Sequence, residues 1–231
     1  MNFNDQKVAV IWDMDGVIAD TAQLHFRAWR SVFLGHNVGF IYQDFRHSFG
    51  QRNDTIIKNI LGPKVNSDLI NSIAGEKEKR FLDFIEEDLQ ALPGAVGLIK
   101  ALHRSGCPLA LGSSAPLANI EFILKKLKLK KYFPVITSNE DVLQGKPDPQ
   151  VFLLAATRLN VEPSGCLVIE DAVAGVEAAR NAGMKCIAVT NTHGPEHLKE
   201  ADLVVDSLAS VTAETIFNIL NTGGSKTSGP N

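Results

Sequence analysis

The sequence of 231 residues lacks an excess of basic side chains. Its 23 lysines and arginines are outnumbered by 26 aspartates and glutamates, which gives a formal net charge of −3 and a sequence pI of about 6.1. Proteins that bind nucleic acid or anionic membrane surfaces usually carry a basic excess. We therefore expect neither nucleic acid nor a membrane among its partners.

Long hydrophobic runs and cysteine pairs are also missing. No stretch approaches the roughly 18 apolar residues of a membrane-spanning helix, and residues 1–7 lack the charged-then-apolar pattern of a signal peptide. Cys107, Cys166 and Cys186 each stand at or near the start of an apolar run, in no spacing typical of metal or redox sites. We expect reduced thiols packed in the core of a cytoplasmic protein that is a monomer or a weak dimer.

What the sequence does contain is an apolar run that ends in two carboxylates. Residues 8–12 are all apolar, as in a strand covered on both faces, and Asp13, Asp15 and Gly16 follow. Side chains at i and i+2 of an extended chain leave on the same side, so both acids should point into one pocket. A divalent cation with a phosphate suits such a pair. The alternative is a turn in which both acids only cap backbone groups.

The block after this turn has the pattern of helices. Residues 20–34 begin with Asp20 as a cap residue and carry apolar residues at helical spacing, and similar segments follow at 41–48, 53–61 and 67–88. Few strand signals interrupt them. We predict a small helical cap domain over residues 20–91.

From residue 92 onward, strand and helix signals alternate. The expected strands are 108–112, 135–137, 166–169, 186–189 and 203–205, and the expected helices are 95–105, 116–127, 149–159, 172–182 and 211–220. This alternation predicts an α/β fold with a doubly wound, Rossmann-like, mostly parallel sheet, which the opening strand joins. The core domain would comprise residues 1–19 and 92–223, and residues 224–231 would form a flexible tail.

Polar side chains gather where the predicted strands end. Ser113 and Ser114 follow one strand, Glu170 and Asp171 follow another, and Lys146 stands directly before Pro147, ahead of a helix. Open α/β sheets bind ligands beyond the carboxyl ends of their strands. Together with the two acids of the first turn, these residues can form a phosphate site with a bridging cation.

The order and spacing of these residues resemble the four-motif pattern of the haloacid dehalogenase superfamily. The matching residues are Asp13-x-Asp15-Gly16-Val17, Ser113, Lys146-Pro147 and Glu170-Asp171. A helical cap inserted after the first motif resembles the branch of sugar phosphatases and β-phosphoglucomutases, and residues 20–29 are similar to the latter. The resemblance implies a small phosphate ester as partner and Mg²⁺ as cofactor.

The resemblance also implies a role for each matched residue. Asp13 would be the nucleophile that forms an aspartyl-phosphate, and Asp15 the general acid and then base. Ser113, Ser114 and Lys146 would hold the phosphoryl group. The Mg²⁺ ligands would be Asp13, the backbone carbonyl of Asp15 and Asp171, with Glu170 ligating or orienting.

The segment after the second motif departs from a mutase. Mutases of this branch place part of a second phosphate clamp there, whereas Ala115, Pro116 and Leu117 offer no charge and no side-chain donor. We therefore favour hydrolysis by water over a phosphohexomutase-like transfer. A regulatory protein on a decayed scaffold is disfavoured because every catalytic position is filled. A haloalkanoic dehalogenase is disfavoured because its branch lacks the acid that Asp15 supplies.

Three cap residues are candidates for substrate contact. Arg52 and Lys77 would grip a distal phosphate or a sugar hydroxyl, and His25 would position Asp15 or substrate. The alternatives are plain surface charge for the two cations and a satisfied buried histidine. Closure of the cap, with hinges near 19–21 and 89–94, would keep stray water from the phosphoryl-enzyme.

Overall fold

The fold is that of a computed structural model, which describes residues 7–221. Its sheet contains six parallel strands in the order β3-β2-β1-β4-β5-β6. The strands are β1 Ala9–Trp12, β2 Leu109–Gly112, β3 Val135–Thr137, β4 Cys166–Glu170, β5 Lys185–Val189 and β6 Leu203–Val205. The predicted α/β class with a doubly wound parallel sheet is confirmed.

The helices lie where the sequence predicts them, with ends that differ by at most two residues. They are α1 Ala22–Gly35, α2 Tyr42–Ser48, α3 Asn53–Leu61, α4 Ser67–Asp88, α5 Ala95–Arg104, α6 Leu117–Lys126, α7 Gln150–Leu159, α8 Val173–Asn181 and α9 Ala213–Asn221. Within residues 7–221, no helix is both long and apolar enough to cross a membrane. The predicted tail, residues 224–231, lies outside the described residues.

Helices cover both faces of the sheet, which explains why its strands show no polar alternation. Val10 and Trp12 of β1 belong to the apolar cluster that includes α5, α6 and α9, whereas Ala9 and Ile11 belong to the cluster that includes α7 and α8. All three cysteines are buried and free, so their predicted place in the core is confirmed.

Helices α1 to α4 form the insert and have an apolar cluster of their own. Trp29, Phe33, Phe45 and Ile73 are members of that cluster. Another part of α1 and α4 joins the main core, where Phe81 is fully buried. The division into a core and a movable cap stays a prediction.

The two chain segments that connect the insert to the sheet run side by side. The Asp20 N–H donates to the Gln90 carbonyl at 2.9 Å, and the Leu92 N–H donates to the Ile18 carbonyl at 2.9 Å. Both crossings therefore meet at one place, which is the place predicted for the hinges.

The start of α1 differs from the prediction. Asp20 was the expected cap residue, but the helix begins at Ala22 with Thr21 as N-cap, and no side-chain bond caps it. The Thr21 hydroxyl instead donates to Oδ1 of Asp15 at 2.6 Å. The expected cap at Asp20 is therefore wrong, because α1 begins only at Ala22 and Thr21 occupies the N-cap position.

Candidate active site

The acidic turn after β1 reaches the end of β4 by a very close backbone approach. Gly16 has φ of +78°, and a Cβ at this position would lie 1.9 Å from Oδ2 of Asp171. Only glycine accepts this φ readily and leaves room for the carboxylate. The turn residue thus lets the acids of two strands share one space.

Lys146 lies between two of these acids. Its Nζ is 2.6 Å from Oδ1 of Asp13 and 2.5 Å from Oε1 of Glu170, and all three side chains are buried. Burial alone would lower the pKa of Lys146, but Asp13 and Glu170 outweigh it and raise that pKa. The ammonium is therefore charged, and each partner carboxylate has a positive neighbour.

Three carboxylates at this edge form a group that can hold a metal ion. Ligand oxygens of Asp13, Glu170 and Asp171 lie within 4.8 Å of one another. Burial raises the pKa of Asp13 and of Asp171, and the neighbouring acids add to both shifts. One ammonium cannot balance three carboxylates, so a cation would relieve the excess negative charge.

The contacts of Glu170 and Asp171 separate their roles in this group. Oε1 of Glu170 faces Lys146, and Oε2 accepts the N–H groups of Asp171 at 2.8 Å and Ala172 at 2.9 Å. Within the described residues, Oδ1 of Asp171 is buried without a hydrogen-bond partner. These oxygen donors fit a hard divalent cation. Asp171 offers a free oxygen as a ligand, whereas both oxygens of Glu170 already accept hydrogen bonds.

The Asp15 carboxylate points away from this group, toward the cap. Oδ1 accepts the Thr21 hydroxyl and lies 3.2 Å from Nε2 of His25. Burial acts to raise the pKa of Asp15, but His25 and Thr21 outweigh it and hold that pKa below its ordinary value. Burial, aided by Lys77, lowers the pKa of His25. The Asp15 side chain is therefore not part of the acid group, and the role of its backbone carbonyl as a metal ligand stays a prediction.

Two serines after β2 offer hydroxyl groups to the same space. Oγ of Ser113 accepts the Ala115 N–H at 3.1 Å, which leaves the hydroxyl proton of Ser113 available. Within residues 7–221, Oγ of Ser114 is buried without a hydrogen-bond partner. Both serines line the cavity together with Asp13 and Asp15, as an anion site requires.

The cavity between sheet and insert has a volume of about 40 Å³. Pockets that hold small ligands usually have about 300–1,000 Å³. Cap residues form its other wall, namely His25, Trp29, Phe45, Phe49, Gly50, Gln51, Asn53, Ile56, Lys77 and Glu78. In this arrangement the cavity is smaller than such a pocket, and the motion of the cap that would enlarge it stays a prediction.

The cap candidates differ in where the structure places them. Lys77 is 2% exposed and lines the cavity, so the alternative of a plain surface charge is wrong for it. His25 also lines the cavity and stacks on Phe81 with ring centroids 3.9 Å apart. Arg52 is absent from the cavity wall: Nη1 donates to the carbonyls of Val142 at 2.9 Å and Asn139 at 3.3 Å. Arg52 thus joins the cap to the core, and its expected substrate contact stays a prediction.

Several site residues escaped the sequence analysis. The Thr192 hydroxyl bonds Oδ2 of Asp171, and Nδ2 of Asn191 donates to the Gly16 carbonyl at 2.8 Å. Both follow the end of β5, so the rule applied to the other strand ends would have found them. The sequence analysis also missed Gly175. A Cβ at this position would lie 1.9 Å from Cδ of Glu170, so the glycine leaves room for that carboxylate.

The fold and site define a class of α/β proteins with buried acids and a buried lysine beyond the carboxyl ends of parallel strands. The sequence matches the haloacid dehalogenase-like hydrolase family over residues 8–183, and the chain belongs to that family. A protein of Thermotoga maritima named phosphorylated carbohydrates phosphatase is 34% identical over 218 residues, which cover 92% of this chain and 97% of that one.

Two further relatives carry another name. The β-phosphoglucomutase of Bacillus subtilis is 32% identical over 217 residues, which cover 90% of this chain and 93% of that one. The crystal structure of a β-phosphoglucomutase from Clostridium difficile aligns with a TM-score of 0.84 and 30% identity, over 92% of this chain and 96% of that one.

Proposed function

We propose that this protein is a Mg²⁺-dependent phosphatase that hydrolyses a small phosphate ester, a sugar phosphate first of all. The observation that carries the proposal is the buried contact of Lys146 with Asp13, because Asp13 lines the same cavity as Ser113 and Ser114. The relative named a phosphatase of phosphorylated carbohydrates supports the substrate class.

Asp13 is the proposed nucleophile. A carboxylate oxygen of Asp13 attacks phosphorus, the bond between phosphorus and the ester oxygen breaks, and an aspartyl-phosphate forms. Two anions must meet in this step, and the ammonium of Lys146 reduces their repulsion. Water then attacks phosphorus, which releases inorganic phosphate and restores the Asp13 carboxylate.

Asp15 is the proposed acid and base in these two steps. The negative charge of a bound phosphate would raise the pKa of Asp15, which favours the proton that the leaving oxygen needs. After the alcohol leaves, Asp15 takes a proton from the attacking water. Thr21 and His25 favour the carboxylate form of Asp15 required for that second step.

The metal site would comprise Asp13, Asp171 and the backbone carbonyl of Asp15, with Glu170 orienting Lys146. The bound cation would supply positive charge against the phosphate oxygens. The free buried oxygen of Asp171 supports this assignment.

Water is the proposed acceptor because the site offers little to hold a second phosphate. Ala115, Pro116 and Leu117 contribute no charged side chain, and Arg52 is occupied by core carbonyls. A mutase-like transfer is the second candidate, and the two β-phosphoglucomutase relatives support it.

Release of inorganic phosphate from a panel of hexose and pentose phosphates tests the proposal. We expect release with Mg²⁺ that is lost with a chelator and in Asp13→Asn, and retained in Asp83→Asn, a change of an exposed acid on α4. The mutase candidate instead predicts that β-glucose 1-phosphate, primed with the bisphosphate, becomes 6-phosphate faster than phosphate is released.

A further inference from the structure

Glu78 brings a carboxylate into the cap wall of the cavity. Oε1 lies 2.9 Å from Nζ of Lys77 and accepts Nδ2 of Asn53 at 2.6 Å. Oε2 accepts Nδ2 of Asn119, which belongs to α6 of the core. Donors from α3, α4 and α6 thus hold one acid at the wall that faces the acidic turn.

The charge of Glu78 is fixed by these donors. Burial acts to raise the pKa of Glu78, but the charge of Lys77 and the bond from Asn53 outweigh it and lower that pKa. Glu78 is therefore a carboxylate at neutral pH, and it neutralises Lys77. Among the described residues that line the cavity, no cap cation is left without a carboxylate beside it.

Arg52, another cation of the cap, adds no positive charge to the cavity wall. Arg52 donates from Nη1 to core carbonyls and from Nε to Asp54 at 3.2 Å, and it is not among the residues that line the cavity. The cap wall thus offers hydrogen-bond donors and acceptors, namely Gln51, Asn53, Lys77 and Glu78, without net positive charge.

We propose that Glu78 is a specificity residue that rejects substrates with a second phosphate and accepts a neutral polyhydroxyl end. The inference rests on the proposed function, because it assumes that the reacting phosphate lies beside Lys146. The far end of the substrate then meets the cap wall. Hydroxyl groups can pair with the wall, whereas a phosphate dianion would face the Glu78 carboxylate in a buried space.

Binding of sugar phosphates to the Asp13→Asn variant in the presence of Mg²⁺ tests this substrate preference without turnover. Calorimetry would compare fructose 1-phosphate with fructose 1,6-bisphosphate, and glucose 6-phosphate with glucose 1,6-bisphosphate. We expect the monophosphate to bind at least about tenfold more tightly in at least one pair. If no pair shows a preference for the monophosphate, the proposal is overturned. This comparison needs no change at Glu78.

Two variants in the same background assign the effect to the carboxylate. Glu78→Gln should reduce the preference at least about fivefold, mainly through tighter binding of the bisphosphate. Glu78→Asp retains the charge and should keep the preference. An unchanged ratio in folded Glu78→Gln would contradict the role of Glu78. Hydrolysis of p-nitrophenyl phosphate by the unmodified protein tests the proposed phosphatase separately, so the two failures are distinguishable.

Discussion

Nζ of Lys146 lies 2.6 Å from Oδ1 of Asp13, although 133 positions separate the two residues in the chain. The same Nζ lies 2.5 Å from Glu170. One buried ammonium thus joins the turn after β1, the loop before α7 and the end of β4. Because an unpaired buried charge is strongly disfavoured, this contact fixes how the three segments meet.

Lys146→Met should destabilise the metal-free protein and abolish turnover. The change leaves Asp13 and Glu170 buried without their positive partner, which costs about 3–5 kcal/mol when one member of a buried ion pair is removed. Urea unfolding in the presence of a chelator measures the decrease in the free energy of unfolding.

Lys185→Met is the matched control, because its pair with Asp202, at 2.8 Å, is partly exposed. We expect that control to cost no more than about 1 kcal/mol. Equal losses of unfolding free energy in the two variants would show that the buried contact stabilises the protein no more than the partly exposed one.

Mg²⁺ should raise the midpoint of thermal unfolding, and a chelator should reverse the shift. The cation relieves the excess negative charge of Asp13, Glu170 and Asp171, and at 100 times its Kd it stabilises by about 2.7 kcal/mol. Asp171→Asn should lose most of the shift, whereas Asp206→Asn, at an exposed contact with Thr190, should keep it. A full shift in Asp171→Asn would place the metal elsewhere.

Asp15→Asn should lower kcat by about 10²–10⁴ and leave phosphate binding nearly unchanged. The asparagine cannot transfer a proton, and its amide remains outside the group of acids that would hold the metal. Steady-state kinetics and calorimetry with inorganic phosphate measure the two effects. A comparable loss in both measurements would argue against the acid and base role.

Arg52→Ala should weaken turnover of sugar phosphates and of p-nitrophenyl phosphate by similar factors. In the structure, Arg52 holds the cap to the loop that precedes Lys146, and this contact does not depend on the leaving group. Values of kcat and KM for both substrates provide the measurement.

Arg27→Ala is the control for that change, because Arg27 pairs with Asp88 on the cap surface at 2.9 Å. We expect it to alter neither substrate's turnover. If Arg52→Ala impaired sugar phosphates alone, Arg52 would contact the far end of the substrate instead of serving as a contact between cap and core.

Much of the core site follows from local sequence. The apolar run before Asp13 and the strand ending at Glu170 both predict buried parallel strands, and the carboxyl ends of such strands meet at one edge. That rule brings Asp13, Ser113, Glu170 and Asp171 together without further information.

The cap wall could not be predicted in the same way. Glu78 lies in a run of charged residues on α4, which resembles a solvated helix face, and its partner Asn119 is 41 positions away. Arg52 likewise meets carbonyls about 90 positions away. Such contacts depend on how the insert packs on the sheet, which periodicity and spacing do not specify.

Mass spectrometry of acid-quenched protein tests the central claim most directly. During turnover of a phosphate ester with Mg²⁺, we expect one phosphoryl group on the peptide that contains Asp13, and none in Asp13→Asn. Turnover of the same ester at the full rate by Asp13→Asn, or with no phosphoryl group on that peptide, would contradict the account.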